Sequence, residues 1–317
     1  MQQELKYAHD WTINGHATVL AIVTKTWGSA PRPVGSLMVI HEDGHFEGSV
    51  SGGCVEGSVI AEASVLMGKS LFKTLNFEVA TKDAWQIGLA CGGHIQIQLH
   101  PLATKDIEGL ANTLTAFEEK RYGSFILNKN GCASVFRAGT SEDRNLPSVT
   151  ETEQNLHLAI RPKPAMFIVG AVHIAQHLTP MALACDYDVT VIDPRGIFVA
   201  ERSFEGANII HDWPDEYFNT NPPDACSALI TLTHDPKIDD AALIPGLNSD
   251  AFYIGSLGSK KTHASRTERL LKQGINAEQL ARINGPIGLN IGSKSPAEIA
   301  ISIMAQVTAA LRGVHEI

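Results

Sequence analysis

The chain has 317 residues, of which 44% are hydrophobic and 19% charged, so it can bury a sizeable core and is most simply interpreted as two domains. Its formal net charge of -9, with no long basic stretch, argues against a nucleic-acid partner. No signal-peptide pattern and no apolar run of membrane-spanning length is present, which predicts a soluble protein of the cytoplasm.

The first half of the chain alternates short β-rich segments with glycines. Ala17–Val23 is apolar and β-branched, as in a buried strand, and Ser36–Ile40 predicts a second strand. Asp43-Gly44 predicts a tight hairpin turn that leads into a returning strand. Together these elements predict a small mixed α+β domain over residues 1–140.

Two cysteines of this domain are flanked by glycines. Cys54 lies within Ser51–Glu56, where strand spacing changes to helical spacing, and Cys91 precedes Gly92-Gly93-His94. Glycines leave a thiol and the neighbouring amide N–H groups accessible to a large ligand, and a helix N-terminus favours a thiolate or another anion. Each thiol can equally be a small hydrophobe beside a tight turn. Metal binding by both cysteines with His94 is a third interpretation, but its spacing matches no established zinc pattern. The five cysteines include no C-x-x-C pair, which is typical of a reducing compartment.

The second half of the chain follows a different pattern. Residues 141–164 are polar, interrupted by prolines and without periodicity, which predicts an interdomain linker. A strand at 165–169, a turn at Gly170, a helix and a strand that ends at Asp193 follow as in the opening of a Rossmann-type unit. Further alternation of strands and helices predicts a parallel sheet, and hence a Rossmann-like domain over residues 165–317.

The dinucleotide fingerprint of this domain is incomplete. Val172 stands where a second glycine would let the backbone approach a pyrophosphate, whereas Asp193 is suitably spaced to bind ribose hydroxyls. His234, which follows a predicted strand, can either shuttle protons or belong to a capped turn. These residues leave open an NAD(P)-dependent oxidoreductase, with Asp193 at the ribose and His234 in proton transfer.

A second glycine loop, Gly255–Ser259, connects a predicted strand to a helix. Ser259 is placed to cap that helix, and Lys260 and Lys261 lie next to its N-terminus. The loop is consistent either with phosphate binding or with an ordinary helix cap. Nearer the carboxyl end, Ser295–Glu298 is a capping box that predicts the start of an apolar helix.

In this order, the motifs resemble the XdhC/CoxI family, the accessory proteins of xanthine dehydrogenase and carbon monoxide dehydrogenase. The resemblance extends over nearly the whole chain and is carried by Arg32–Met38, Gly48–Glu56, Cys91–Gly93, Gly170–Ala175, Val191–Arg195, Thr233–Asp235 with Asp239, Gly255–Ser259 and Pro286–Ala300. Two positions depart from the family pattern: Val172 stands where glycine is common, and Asn290 where aspartate is common.

The resemblance implies a maturation factor rather than a turnover enzyme. Such a chaperone binds the molybdenum cofactor (molybdopterin, or a dinucleotide form of it), protects it during sulfuration and delivers it to a xanthine dehydrogenase-type molybdenum hydroxylase. The implied partners are the hydroxylase apoenzyme and a cysteine desulfurase, and we expect a homodimer. Cys54 and Cys91 are implied to contact the metal. The other residues implied to bind the cofactor are Gly52, Gly53, Glu56, Gly92, Gly93, Gly170, His173, Asp193, Arg195, His234, Gly255, Gly258 and Ser259.

Overall fold

A computed structural model of the protein describes residues 1–28, 32–53, 55–78, 94–140, 142–143, 146–196 and 203–314. The chain divides into two compact units, Met1–Pro162 and Lys163–Ile317. The helices in the described ranges are α1 Gln2–Ile13, α2 Glu56–Leu66, α3 Ile107–Glu118, α4 His173–Ala184, α5 Pro214–Thr220, α6 Pro236–Leu247, α7 Lys260–Lys272, α8 Ala277–Ala281 and α9 Pro296–Leu311. The strands are β1 Thr18–Trp27, β2 Leu37–His41, β3 Phe46–Gly48, β4 Lys73–Glu78, β5 His94–Leu102, β6 Gly123–Asn128, β7 Val135–Ala138, β8 Val149–Glu151, β9 Asn155–Ile160, β10 Ala165–Val169, β11 Asp188–Ile192, β12 Asn208–Ile210, β13 Ser227–Thr231, β14 Tyr253–Ser256 and β15 Ile283–Asn284.

The amino-terminal unit contains two antiparallel sheets, with strand orders β3-β2-β1-β5-β4 and β7-β6-β9-β8. Alternate residues of β1 enter two different cores. Val19 and Ala21 pack with residues of α2, whereas Leu20 and Ile22 pack with residues of α1, α3 and the second sheet. Because β1 is buried on both faces, its sequence is a continuous apolar run.

Residues 141–164 were predicted to form an interdomain linker, but the structure has two strands in this segment. Within 141–164, β8 and β9 form two strands, and β9 pairs with β6 from Gly123↔Ile160 to Asn128↔Asn155. Leu156 and Leu158 alternate with polar residues and reach the core. This alternation is short and surrounded by polar residues and prolines, so only the pairing with β6 stabilises it as a strand. The two units meet in sequence at Pro162 and Lys163, close to the predicted start of the second domain.

The carboxyl-terminal unit contains a six-stranded parallel sheet of order β12-β11-β10-β13-β14-β15. Met166 and Ile168 of β10 pack on one face with residues of α4 and α9, and Phe167 packs on the other with residues of α6 and α7. Helices therefore cover both faces, as in Rossmann folds. The predicted fold class, a mixed α+β unit followed by a Rossmann-like unit, is confirmed.

Several local predictions are also confirmed. Gly44 adopts a positive φ of 89° in the turn between β2 and β3. The Ser259 side chain caps α7 by accepting a hydrogen bond from the backbone N–H of Thr262, and Ser295 and Glu298 form the capping box of α9. Among the described residues, no helix has both the length and the apolarity that crossing a membrane requires.

Candidate functional site

Glu56, the first residue of α2, organises the glycine-rich loop that precedes the helix. Its carboxylate accepts hydrogen bonds from the backbone N–H groups of Val50, Ser51, Gly53 and Val55 and from the hydroxyls of Ser49 and Ser51. The Ser51 N–H lies 2.8 Å from Oε1, and the Gly53 N–H lies 2.9 Å from Oε2. One buried carboxylate therefore orders the whole turn.

These hydrogen bonds also determine the charge of Glu56. Burial by itself raises the pKa of the carboxyl group, but the hydrogen bonds from Ser51 and Ser49 outweigh burial and lower the pKa to about 2. The side chain is ionised at neutral pH and its oxygens are engaged inside the loop. The described hydrogen bonds of this carboxylate are thus made to the loop that the sequence predicts to bind the cofactor.

The glycines of the loop expose backbone rather than side chain. Gly52 and Gly53 adopt positive φ values of 76° and 113°, and both are exposed. A Cβ atom added at Gly53 would meet no atom within 4 Å. The positive φ, not crowding, is thus the reason for glycine here, and the backbone at Gly53 borders open space.

The cysteine at the centre of the prediction, Cys54, lies outside the described residues, as do Cys91, Gly92 and Gly93. The two chain neighbours of Cys54 are described. The backbone N–H groups of Gly53 and Val55 both donate to Oε2 of Glu56, at 2.9 and 3.2 Å. The chain is therefore anchored on each side of position 54.

In the carboxyl-terminal unit, the strand order reverses between β10 and β13, and ligands of open α/β sheets bind at such a point. Gly170 follows β10 with φ 110°, and a Cβ atom there would lie 2.6 Å from Cγ2 of Thr233 in the loop after β13. Glycine thus permits the close approach of these two loops. His173, exposed, begins α4, which no described side chain caps. The N-terminus of α4 is suited to bind an anion.

Asp193 is fully buried after β11, and its carboxylate binds the protein itself. Oδ1 accepts hydrogen bonds from N and Nε of Arg195, and Oδ2 accepts from Nη2 of Arg195 and the backbone N–H of Ala171. Burial raises the pKa of Asp193, but these hydrogen bonds prevail and lower it. Each carboxylate oxygen of Asp193 therefore accepts two hydrogen bonds from the protein, and both oxygens are engaged.

The loop after β13 is held by buried charges. Asp239, in the first turn of α6, accepts hydrogen bonds from the backbone N–H of Thr233 at 3.2 Å and from its Oγ1 at 2.7 Å. Nη2 of the buried Arg266 lies 3.9 Å from Asp239 and donates to the carbonyl of Leu257 at 2.8 Å. Beside this network, His234 is exposed with φ 61°, a left-handed conformation that is strained for a non-glycine residue.

In the second glycine loop, Gly255–Ser259, the residues predicted to bind the cofactor have structural roles of their own. Gly255 is buried in β14, where a Cβ atom would lie 2.6 Å from Cδ1 of Ile287. Gly258 adopts φ 139°, and a Cβ atom there would lie 2.9 Å from Cγ2 of Thr262, the residue whose backbone N–H donates to the capping side chain of Ser259. Gly258 and Ser259 nevertheless lie at the same carboxyl edge of the sheet as the loops after β10, β11 and β13.

The described site residues therefore form two groups, one in each unit. Gly52, Gly53 and Glu56 belong to a single ordered loop. The second group lies at the carboxyl edge of the parallel sheet and contains Gly170, His173, Asp193, Arg195, His234, Gly258 and Ser259. Sequence reasoning missed Arg266, because α7 is polar in sequence and nothing in its pattern indicates that this residue is buried.

The fold places the protein in a class whose members contain a Rossmann-like unit. In this chain the dinucleotide fingerprint of that unit is altered at Val172. Residues 166–307 match the family model described as the XdhC Rossmann domain, and residues 11–77 match the model of the XdhC and CoxI family. The chain belongs to the XdhC and CoxI family.

Named relatives cover most of the chain. It is 29% identical over 96% of its length to the molybdenum cofactor insertion chaperone PaoD of Escherichia coli, of which the match covers 86%. It is 28% identical over 91% of its length to a probable xanthine dehydrogenase subunit of Bacillus subtilis, of which the match covers 92%. A crystal structure described as a xanthine dehydrogenase from Bacillus halodurans is similar with a TM-score of 0.71 and 25% identity, over 99% of this chain and 97% of that one.

Proposed function

We propose that the protein is a molybdenum-cofactor chaperone that binds the cofactor, protects it during sulfuration and delivers it to a xanthine dehydrogenase-type molybdenum hydroxylase. Its family and its similarity to a relative named as a molybdenum cofactor insertion chaperone support a role in maturation. The observation that carries the proposal is the loop ordered by Glu56, because it anchors the chain on both sides of Cys54 and leaves glycine backbone exposed.

The residues of this loop have separable roles in the proposed site. Glu56 holds the turn in one conformation before the cargo arrives, so binding does not have to order the loop. Gly52 and Gly53 allow a bulky ligand to approach the backbone. The thiolate of Cys54, and with it Cys91, is the soft ligand that contacts the molybdenum end of the cargo.

Within the carboxyl-terminal unit, the carboxyl edge of the parallel sheet is proposed to bind a phosphate group. The N-terminus of α4, which begins at His173 and is capped by none of the side chains that the structure describes, offers backbone N–H groups to an anion. Arg195 and His234 lie in the loops after β11 and β13 at the same edge. This assignment applies both to a mononucleotide-like cofactor with one phosphate and to a dinucleotide form with two.

An NAD(P)-dependent oxidoreductase has less support. Asp193 would have to bind ribose hydroxyls, yet its oxygens already accept hydrogen bonds from Arg195 and Ala171, and its side chain is fully buried. Val172, whose side chain occupies the position of the missing fingerprint glycine, adds bulk where a pyrophosphate approaches. Binding of NAD(P) would therefore require Asp193 to lose partners that stabilise its charge.

The proposed partners are the hydroxylase apoenzyme, a cysteine desulfurase that supplies sulfur, and a second copy of the chain. The scarce and widely spaced cysteines favour a reducing compartment such as the cytoplasm for this chemistry. A pull-down with each partner, performed with and without cofactor, measures whether delivery and sulfuration involve direct contact.

The central test is cofactor retention. Purified full-length protein is incubated with molybdenum cofactor released from a molybdenum enzyme, and bound molybdenum and pterin are measured after gel filtration. We expect near-stoichiometric retention that falls at least tenfold in Cys54→Ser and in Cys91→Ser. Cys132→Ser is the matched control, because Cys132 is an exposed cysteine of the same unit. Absence of binding at micromolar concentration, or an equal loss in Cys132→Ser, would refute the proposal.

A further inference from the structure

Two imidazoles and a carboxylate meet at the hairpin end of the five-stranded sheet. His16 lies just before β1, while His41 and Glu42 lie at the end of β2, and the pairing Thr18↔His41 brings these chain segments together. One potential ligand atom from each of the three residues lies within 4.8 Å of the other two. The proposed cofactor loop contains none of these residues.

The cluster is already held by hydrogen bonds. Nδ1 of His16 lies 3.0 Å from Oε1 of Glu42, and the backbone N–H of Ala17 donates to Oε2 of Glu42 at 2.9 Å. Nδ1 of His41 lies 2.9 Å from Oδ1 of Asp43 and 3.4 Å from the backbone N of the same residue, so this nitrogen has partners within its own turn. A carboxylate that orients the far nitrogen of a histidine is the usual outer partner of a metal-binding imidazole.

We propose that His16, His41 and Glu42 bind a zinc ion, with water at the fourth position. Two histidines and one glutamate are an established zinc donor set, in which zinc–ligand distances of about 2.0–2.2 Å put neighbouring ligand atoms about 3.3 Å apart. The 3.0 Å between His16 and Glu42 is close to that separation. The side chains of His16 and Glu42 are 44% and 46% exposed, so they can rotate to bring their ligand atoms to the distances that zinc requires.

The chemistry of the donor set agrees with this assignment. Zinc bound through Nδ1 of His16 and Oε1 of Glu42 replaces the hydrogen bond between them, and the ring proton of a neutral His16 then resides on Nε2. Magnesium and calcium prefer oxygen ligands and are not expected to bind two imidazoles.

The site contains its own reporter. The ring of Trp11 lies 5.0 Å from the ring of His41, so binding at His41 changes the fluorescence of Trp11. Metal-free full-length protein is titrated with zinc chloride while fluorescence is followed, and zinc is counted by equilibrium dialysis. We expect one zinc per chain with a micromolar Kd, no response to magnesium, and weakening of at least tenfold in His16→Ala and in Glu42→Gln.

Two controls make the test decisive. His9→Ala removes a histidine of α1 that pairs with Asp10 and is not part of the cluster, and it should leave zinc binding unchanged. Circular dichroism of each variant checks folding. If the double variant of His16→Ala with His41→Ala binds zinc as tightly and in the same amount as the native chain, or if binding is only millimolar, the proposal is wrong. Neither result bears on cofactor retention, which is measured separately.

Discussion

Replacement of Glu56 by glutamine measures how strongly one carboxylate orders the cofactor loop. The substitution keeps the shape of the side chain but exchanges one oxygen for an N–H₂ group that faces three hydrogen-bond donors of the loop. A hydrogen bond to a charged group contributes about 1.5–3 kcal/mol, and Ser51 takes part in two of the six. Allowing for solvent at the exposed glycines, we expect Glu56→Gln to lower the free energy of unfolding by about 3–5 kcal/mol.

The assay is urea denaturation of both proteins, followed by circular dichroism at several pH values. The pKa of Glu56 is about 2 in the folded chain against 4.5 in the reference state. Its stabilising contribution is therefore present above pH 4.5 and is lost as the pH falls from 4.5 towards 2. The difference between native chain and variant should shrink over that range.

A matched control lies in the same helix. Glu62 of α2 forms an ion pair with Lys73 at the surface, with side chains 39% and 43% exposed. Glu62→Gln should cost no more than about 1 kcal/mol. If Glu56→Gln costs no more than this control, Glu56 does not order the loop and the reasoning fails.

Two further predictions concern the cores of the two units. Burial of His100, which is 3% exposed, lowers its pKa to about 4, so the folded chain resists protonation and should lose about 3 kcal/mol of stability as the pH falls from 6.5 to 4. A proton-NMR titration of this imidazole with a midpoint above pH 6 would contradict that expectation. Gly170→Ala places a Cβ atom 2.6 Å from Cγ2 of Thr233 and should cost about 2–4 kcal/mol in thermal or urea unfolding. Gly44→Ala, at a positive φ with no atom within 4 Å, should cost only about 1 kcal/mol, and equal losses would show that crowding at Gly170 is unimportant.

The Rossmann-like unit could be predicted from sequence because its signals are local. A strand, a glycine turn, a helix and a second strand follow one another between residues 165 and 192, and each has its own hydrophobic period. The capping box at Ser295 marked the start of α9 for the same reason. Such elements need little information from distant residues, so the fold class was predictable.

The strand β9 shows the opposite case. Its residues occur in a polar segment with prolines nearby, and only their pairing with β6, about 30 residues earlier in the chain, makes them a buried strand. Sequence reasoning treated that segment as a linker because the alternation of Leu156 and Leu158 is too short to stand out. Partner strands, rather than local propensity, determine such elements.

The amino-acid sequence by itself determined the order of strands and helices in the Rossmann-like unit, its glycine turns and its helix caps. Tertiary structure alone decided what Glu56, Asp193 and Arg266 do, since each carboxylate or guanidinium acquires its role from backbone groups and charges that folding places around it. The physical reason is that periodicity is a property of neighbouring residues. A buried charge, in contrast, is stabilised only by partners assembled in three dimensions.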